Sequence, residues 1–488
     1  MRTRPTSRYA MWAFLCLHTA AVWAQPGLSA IREKDIRTDL FNMADDHFRG
    51  REAGTPDELK VSTWLANQAR AAGLQPAGDD GTYFQFFSLS RNRISAASHI
   101  SIGDHTLSIG SDALLPVTAP ASVDAPIMFV NKSDTNRSDL NGKVVALIAS
   151  PEGIDLHVSL PIRRYPTLLA RKYATAFFSR GAAAVIFIAD QLATEGWALN
   201  NSYFTRGTYD IPGGPNEYAA PRPPIIWLRP DALSWVKEQG ASLHASVIVE
   251  HFEYPSVNVV GVIPGKDPLL AKEYILFSGH LDHDGIRAAP GNDSIYNGAD
   301  DNASVNVALL AIARAFHAAP GRRSALFVWH GAEERGLLGS RWYALHPSVP
   351  ANAITAVLNG DMIGRNAPDS AALLGIIAPH RNSTALVDAA LSANREGPHF
   401  LLDTTYDRAS HIEGWYFRSD HLPYARAGIP AIFFTSLLHP DYHTPRDEAS
   451  RIDTKKVTKI AEWMYRTGWK ISETNTRPTV DPGFKLER

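Results

Sequence analysis

Acidic and histidine side chains follow three predicted strands in the second half of the chain, each at the point where the strand ends. Open α/β sheets place their ligand crevice outside the carboxyl ends of the strands, so we expect these side chains to meet in one crevice. The chain has a single cysteine, Cys16. A metal site in this half must therefore use histidine nitrogen and carboxylate oxygen, both of which Zn²⁺ accepts. The strands and the side chains that follow them are 274–279 with His280 and Asp282, 325–330 with Glu333 and Glu334, and 354–360 with Asp361.

The spacing of these groups favours a pair of metal ions. Two zinc ions about 3.5–4 Å apart need a carboxylate that bridges them. Asp300 lies in the turn of residues 298–304, at the mouth of a predicted helix, and is suitably exposed for that position. The sequence therefore predicts a two-zinc site for metal-assisted hydrolysis. Its predicted ligands are His280 and Asp361 for one ion, Glu334 and His443 for the other, and Asp300 shared between them.

Two further carboxylates have predicted roles beside the metals. Asp282 lies two residues after His280, close enough to accept the second imidazole N–H and fix the tautomer, as metal-bound histidines usually require. Glu333 and Glu334 are adjacent, which allows a division of labour. Glu334 would bind a metal, while Glu333 stays free to take a proton from the attacking water and pass it to the leaving amine.

The elements that must position these residues alternate between buried strands and amphipathic helices. This pattern predicts an α/β fold, in which helices cover both faces of a mixed, mostly parallel sheet in three α/β/α layers. The predicted strands are 257–263, 274–279, 325–330, 354–360 and 431–435. A helix between the second and third of them carries Val305, Ala308, Leu309, Ile312 and Phe316 on one face.

A change of character between residues 119 and 250 predicts a smaller, β-rich domain inserted into the larger one. Residues 25–118 and 251–472 then form the two parts of the larger domain. We expect the polar tail, 473–488, to dock loosely or not at all.

The first 24 residues have the pattern of a cleaved signal peptide, with a basic start, a short apolar run and small residues before Gln25. We therefore expect a secreted or periplasmic protein that is not held in a membrane once the signal, which contains Cys16, is removed. With 48 Lys and Arg against 50 Asp and Glu, the chain has no basic surplus that indicates nucleic-acid binding. The oligomeric state is left open.

Five strings within residues 254–467 resemble those of a known family, the two-zinc aminopeptidases and glutamate carboxypeptidases. The resemblance implies peptide substrates, the ligand assignment given above with Asp300 as the bridge, Glu333 as the base, and a cis peptide bond after Asp300. Cleavage at the N-terminal residue rests on the resemblance alone. The matching strings are 279–283 (GHLDH), 298–304 (GADDNAS), 332–340 (AEERGLLGS), 360–362 (GDM) and 442–447 (YHTPRD).

Two weaker resemblances add detail. The region 119–250 is similar to a protease-associated domain, at residues 141–145 (NGKVV) and 180–186 (RGAAAVI). Relatives place a tyrosine where it hydrogen-bonds the tetrahedral oxyanion, and both Tyr442 and Tyr416 stand in such places, with Tyr442 favoured. Three histidines near the site in sequence are left out of the ligand set, because such residues more often make ordinary polar contacts. They are His283, His330 and His421.

Three alternatives remain open. A carboxypeptidase or dipeptidase would need a basic cluster for the substrate carboxylate, for which Arg408, Arg418 and Arg426 are candidates. An acyltransferase similar to glutaminyl cyclases uses one zinc and is disfavoured by the presence of both ligand sets. A non-catalytic binding protein on the same scaffold is disfavoured because no predicted ligand is missing.

Overall fold

The computed structural model describes residues 25–486 except 133, 135, 136, 138 and 289–291. The predicted signal peptide, residues 1–24, lies outside this part of the chain, so its cleavage stays a prediction. Among the described residues, no helix has both the length and the apolar character that crossing a membrane requires.

The strands are, in chain order, β1 (Gln75–Pro76), β2 (Phe84–Ile94), β3 (His99–Ile102), β4 (His105–Leu107), β5 (Ala113–Leu114), β6 (Ala121–Phe129), β7 (Val144–Ile148), β8 (Ala184–Ile188), β9 (Thr208–Asp210), β10 (Ile225–Leu228), β11 (Ser242–Val247), β12 (Val249–Ile263), β13 (Tyr274–His280), β14 (Gly285–Ile286), β15 (Ile295–Tyr296), β16 (Ser324–His330), β17 (Ile354–Gly360), β18 (Ser370–Leu374), β19 (Leu401–Leu402) and β20 (Ala431–Thr435). The helices are α1 (Glu33–Met43), α2 (Pro56–Ala71), α3 (Pro161–Phe178), α4 (Gln191–Glu195), α5 (Trp197–Phe204), α6 (Leu233–Val236), α7 (Ser304–Ala318), α8 (Leu338–Leu345), α9 (Thr384–Glu396), α10 (His421–Arg426) and α11 (Thr454–Glu473).

The larger sheet has a parallel centre and antiparallel flanks. Its order is β19-β18-β20-β17-β13-β16-β12-β2-β9, with β1 paired to β12. Strands β16, β13, β17 and β20 run parallel to one another, whereas β12, β2 and β9 pair antiparallel. The sheet is mixed, as predicted, and the parallel character is confined mainly to its four central strands.

Helices cover both faces of this sheet, which confirms the three-layer α/β prediction. Successive residues of a strand point to opposite faces, so Ile275 and Phe277 pack with α1, α2, α7, α9 and α11, while Leu276 packs with α8 and α10. Helix α7 is buried on nearly every side, as expected for an apolar helix in the middle of a layer. The turn directly before it, Ala299–Ala303, carries the aspartates of the predicted site into the interior.

A second sheet is formed by the segment between β2 and β12, residues 95–248, which we call the inserted segment. Its order is β4-β3-β11-β6-β7-β8-β10-β5, and helices α3, α4 and α5 pack on one face of it. Because β3, β4 and β5 precede residue 119, this sheet begins earlier in the chain than the predicted range 119–250. The short strand β9 leaves it and pairs with β2 of the larger sheet.

The tail after α11 is docked, contrary to the expectation of a loose one. The Thr384 backbone N–H donates to the Asp481 carboxylate at 3.0 Å. Arg477 donates to the Asn352 carbonyl at 2.8 Å. These contacts satisfy backbone hydrogen-bonding groups at the surface of the larger domain. The polar composition of the tail did not indicate them.

Candidate metal centre

Two groups of acidic and histidine side chains meet at the carboxyl ends of the parallel strands. Within each group the potential ligand atoms lie within 4.8 Å of one another, and Asp301 belongs to both groups. The first group is His280, Asp301 and Asp361, and the second group is His283, Asp301, Glu334 and His443.

The parallel strands explain why distant residues come together here. His280 is the last residue of β13, Asp361 follows β17 directly, and Glu334 lies in the turn after β16. Strand β13 pairs in parallel with both β16 and β17. The carboxyl ends of the three strands therefore deliver these side chains to one edge, as predicted.

The two carboxylate oxygens of Asp301 face different groups. Oδ1 lies 3.1 Å from His280 Nε2, and Oδ2 lies 3.1 Å from His443 Nε2. His280 Nε2 is 3.7 Å from Asp361 Oδ1, and His443 Nε2 is 3.2 Å from Glu334 Oε1. Asp301 therefore stands between the two groups, where a bridging carboxylate would be needed.

Asp300, which the sequence predicted as the bridge, belongs to neither group, and that prediction is wrong by one residue. Its Oδ1 accepts the backbone N–H of Gly364 at 2.5 Å, and its Oδ2 lies 3.3 Å from His439 Nε2. The cis peptide bond correspondingly joins Asp301 to Asn302 and does not follow Asp300.

A distant residue, Asp447, determines which of the two aspartates faces the groups. Its carboxylate accepts the backbone N–H of Asp300 at 2.9 Å and that of Asp301 at 3.0 Å. The Ser304 hydroxyl donates to the Asp300 carbonyl at 2.7 Å. These contacts fix the backbone of the turn, so that Asp300 turns toward Gly364 and Asp301 turns toward the histidines.

His283 joins the second group, although its sequence position favoured an ordinary turn histidine. Its Nδ1 lies 2.9 Å from Glu334 Oε1 and 3.8 Å from Asp301 Oδ2. The side chain is fully buried, and neither ring nitrogen has a hydrogen-bond partner among the described residues. Its position three residues after His280, in the loop that follows β13, is the sequence signal that could have indicated this role.

Asp284 orients His443 and was not predicted. Its Oδ2 lies 2.9 Å from His443 Nδ1 and also accepts the Tyr203 hydroxyl at 2.7 Å. Arg206 Nη1 donates to Oδ1 at 2.9 Å. Although burial acts in the opposite direction, His443 and Arg206 hold the pKa of Asp284 well below its usual range. An ionised carboxylate only accepts hydrogen bonds, so His443 Nδ1 carries the hydrogen and Nε2 is left free for a metal.

Asp282 supports the centre through contacts that differ from the predicted one. His280 Nδ1 faces the backbone carbonyl of Asp282 at 3.1 Å, whereas the nearer carboxylate oxygen is 3.8 Å away. The carboxylate instead accepts the backbone N–H groups of Glu333 at 2.9 Å and Glu334 at 3.3 Å. Asp282 thus fixes the imidazole through its main chain and the glutamate turn through its side chain.

The adjacent glutamates stand in opposite electrostatic settings. Burial, reinforced by the carboxylate of Glu334, raises the pKa of Glu333 well above its usual value. Burial acts in the same direction on Glu334, but the neighbouring His443 and His283 outweigh it and lower the pKa of Glu334 to about 2. Glu333 belongs to neither group and lines the cavity above them, which has a volume of about 1120 Å³. One carboxylate is therefore set to bind a cation and the other to hold a proton.

The two candidate tyrosines are placed differently. Tyr442 lines the cavity, and its hydroxyl oxygen accepts a hydrogen bond from Arg418 Nη2 at 3.0 Å. Tyr416 is fully buried and stacks on His380 with ring centroids 4.3 Å apart. Only Tyr442 faces the region above the two groups.

The other two histidines left out of the predicted ligand set, His330 and His421, belong to neither group. His330 Nε2 lies 3.1 Å from the Tyr424 hydroxyl, and His421 stacks on Phe433 with ring centroids 5.0 Å apart. Burial lowers the pKa of each to about 3, so both are neutral packing residues.

The donor set fits zinc. Carboxylate oxygen and imidazole nitrogen are ligands that Zn²⁺ favours in sites without cysteine. Among the described residues, Glu334 Oε1 and Asp361 Oδ1 are buried and have no hydrogen-bond donor. Burial opposes charge on His443, yet the carboxylates of Glu334 and Asp284 raise its pKa well above the usual value. Buried carboxylates that stabilise positive charge on a neighbouring imidazole in this way also favour a metal cation.

Comparisons with known proteins find similarity to peptidases. The model of peptidase family M28 matches residues 258–467. Aminopeptidase YwaD of Bacillus subtilis is 25% identical over 265 residues, which are 52% of this chain and 53% of that protein. Leucine aminopeptidase 1 of Penicillium rubens is 30% identical over 226 residues, which are 42% of this chain and 53% of that protein. The chain thus spans about half the length of each of these curated relatives.

Solved structures share the fold. A zinc aminopeptidase from Bacillus subtilis, BSAP, superposes with a TM-score of 0.58 at 17% identity, over 93% of this chain and 99% of that one. A peptidase M28 precursor from Shewanella amazonensis gives a TM-score of 0.53 at 15% identity, over 94% of this chain and 99% of that one. Within residues 258–467, this chain is similar to peptidase family M28.

Proposed function

We propose that this chain is a zinc-dependent aminopeptidase that holds two zinc ions and uses Glu333 as its general base. The observation that carries the proposal is the shared position of Asp301 between two groups of ligand atoms, with Glu333 beside them and outside both. A pair of metal sites with a free carboxylate above them is an arrangement suited to hydrolysis.

Each group would hold one ion. His280, Asp301 and Asp361 would hold one zinc ion. Asp301, Glu334, His443 and His283 offer the other ion four ligands. Bound zinc supplies Lewis-acid polarisation of a peptide carbonyl and lowers the pKa of water at such a site.

Glu333 would move the proton. Its raised pKa favours accepting a proton from the attacking water, and the same carboxyl group then returns that proton to the departing amine. Asp282 holds the backbone N–H of Glu333 at 2.9 Å, so that the carboxyl group is presented to the cavity by a fixed turn. A base held in this way loses little freedom when it acts.

Tyr442 would stabilise the oxyanion that forms at the cleaved carbonyl. Because Arg418 donates to the Tyr442 oxygen at 3.0 Å, the hydroxyl hydrogen of Tyr442 remains available to a substrate. A hydrogen bond aimed at developing charge in a dry cavity stabilises the transition state more than the ground state.

Peptides with a free N-terminus are the proposed substrates. Support comes from the curated relatives, which are named as aminopeptidases. The carboxypeptidase or dipeptidase alternative finds partial support, because Arg418 lines the cavity while Arg408 and Arg426 are not among its lining residues.

Hydrolysis of leucyl p-nitroanilide beside its N-acetyl derivative tests the proposal. We expect the purified enzyme to cleave the free substrate, to lose this activity with 1,10-phenanthroline, and to regain it when zinc is restored. Cleavage of the acetylated compound alone would refute the aminopeptidase assignment, and activity that withstands complete zinc removal would refute the metal mechanism.

A further inference from the structure

The inserted segment closes one side of the cavity with cations. The first turns of α3 lie over the metal centre, and their arginine side chains enter the same cavity as Glu333 and Tyr442. An arginine of the larger domain lines the same cavity. The three arginines considered are Arg163, Arg164 and Arg418.

Arg163 lies directly beside the metal centre. Its Nη1 is 3.1 Å from His443 Nδ1, and its guanidinium carbon lies 3.7 Å from the centre of the Tyr203 ring. The Tyr203 hydroxyl donates to Asp284 at 2.7 Å, which fixes the ring on which Arg163 rests. The guanidinium is thus held in place by stacking, a contact that leaves its N–H groups free.

Among the described residues, the one hydrogen-bond contact of the Arg163 guanidinium is with His443 Nδ1, at 3.1 Å. His443 Nδ1 already carries the hydrogen that it gives to Asp284, 2.9 Å away, so it cannot accept a hydrogen bond from Arg163. Among the residues that the structure describes, no carboxylate forms an ion pair with Arg163. A half-buried cation with free donors at a cavity wall is suited to binding an anion from outside the chain.

The other two arginines share a single carboxylate. Glu413 Oε2 lies 3.0 Å from Arg164 Nη1 and accepts from Arg418 Nη1 at 2.7 Å. The Ser159 backbone N–H donates to Glu413 Oε1 at 2.5 Å, which ties the inserted segment to the larger domain at this point. Together with Arg163, the cluster keeps a surplus of positive charge after Glu413 is counted.

The metal carboxylates do not cancel this surplus. If the proposed function is correct, the carboxylates of Asp301, Glu334 and Asp361 are opposed by the charges of the two zinc ions that they would hold. The arginine cluster then leaves a surplus of positive charge on the cavity wall beside the centre. Such a wall attracts negatively charged substrates and repels positively charged ones.

We propose that Arg163, together with Arg164 and Arg418, selects peptides that carry a carboxylate on a residue adjoining the cleaved bond. This inference rests on the proposed function and names its substrate class. The carboxylate has two possible sources with the same chemistry. It is either the side chain of an N-terminal Asp or Glu, or the α-carboxylate of a dipeptide.

Four peptides with a free N-terminus distinguish the two sources of the carboxylate. Glu-Ala-amide against Gln-Ala-amide tests an acidic first residue, and Leu-Ala against Leu-Ala-amide tests the terminal carboxylate. We expect the acidic member of at least one pair to have the higher kcat/KM. In Arg163→Gln the ratio of kcat/KM for the acidic peptide to kcat/KM for its neutral partner is expected to fall about 10- to 100-fold. This is the effect expected from the loss of one charged hydrogen bond.

Two variants complete the test. Arg163→Lys keeps the charge without the planar fork and is expected to retain part of the ratio. Arg395→Gln removes an exposed arginine from the last turn of α9, outside the cavity, and is expected to leave the ratio unchanged. No acidic preference in the wild-type enzyme, or a ratio unaltered in Arg163→Gln, would overturn the inference alone. If the enzyme cleaved none of the four peptides, the proposed function would be overturned and this inference with it.

Discussion

Asp301→Asn is expected to lose bound zinc from both groups, whereas Asp300→Asn is expected to keep it. The two substitutions are matched in size and chemistry and differ by one position. Asp301 has an oxygen 3.1 Å from a histidine nitrogen of each group, while Asp300 faces Gly364 and His439. Because Asp301 belongs to both groups, its loss should weaken zinc affinity by more than the ~10- to 100-fold that loss of an outer contact costs.

Zinc content after dialysis, measured by mass spectrometry, checks this expectation. Circular dichroism and thermal unfolding of the zinc-free forms show whether each variant still folds. If Asp300→Asn lost the metals and Asp301→Asn kept them, the original sequence assignment would be correct and the structural one wrong.

Glu333→Gln is expected to bind zinc normally and to lose hydrolytic activity. The amide cannot accept a proton at neutral pH, and loss of a positioned general base typically costs about 10²- to 10⁴-fold in rate. Zinc should be unaffected because Glu333 belongs to neither ligand group.

The neighbouring glutamate provides the control. Glu334→Gln changes a ligand of the second group, so it is expected to lower zinc content and activity together. The contrast between a folded, metal-bound, inactive Glu333→Gln and a metal-poor Glu334→Gln identifies two separate roles. Equal zinc loss in both variants, or full activity in Glu333→Gln, would contradict the division of roles.

Much of the centre could be predicted because its positions follow local patterns. The strands that carry His280, Asp361 and Glu334 are short apolar runs with clear ends, and the observed strands end within one residue of the predicted ones. Parallel pairing then brings those ends together without further information. Ligands placed by strand ends are therefore accessible to sequence reasoning.

The choice between Asp300 and Asp301 was not accessible in that way. Both are aspartates in one turn, and neither composition nor periodicity distinguishes their directions. The decision comes from Asp447, whose carboxylate binds the turn from 146 residues away in sequence. A long-range contact of this kind fixes the directions of the two aspartate side chains. Local sequence patterns do not reveal it, so the bridging position was assigned to the neighbouring residue.

The contacts that the inserted segment makes with the centre could not be predicted from the sequence either. Tyr203 and Arg206 reach Asp284, and Arg163 reaches His443, only because the second sheet packs against the first. Nothing in the local pattern of α3 or α5 indicates that their side chains enter the centre. The sequence therefore predicted the chemistry of the site more fully than its outer wall.

Anomalous X-ray diffraction above and below the zinc absorption edge, from crystals of the zinc-loaded enzyme, locates the bound metal ions. We expect two zinc peaks with the Asp301 carboxylate between them, one beside His280 and Asp361 and the other beside His283, Glu334 and His443. A single peak, or a zinc ion bound by Asp300 and His439, would contradict this expectation.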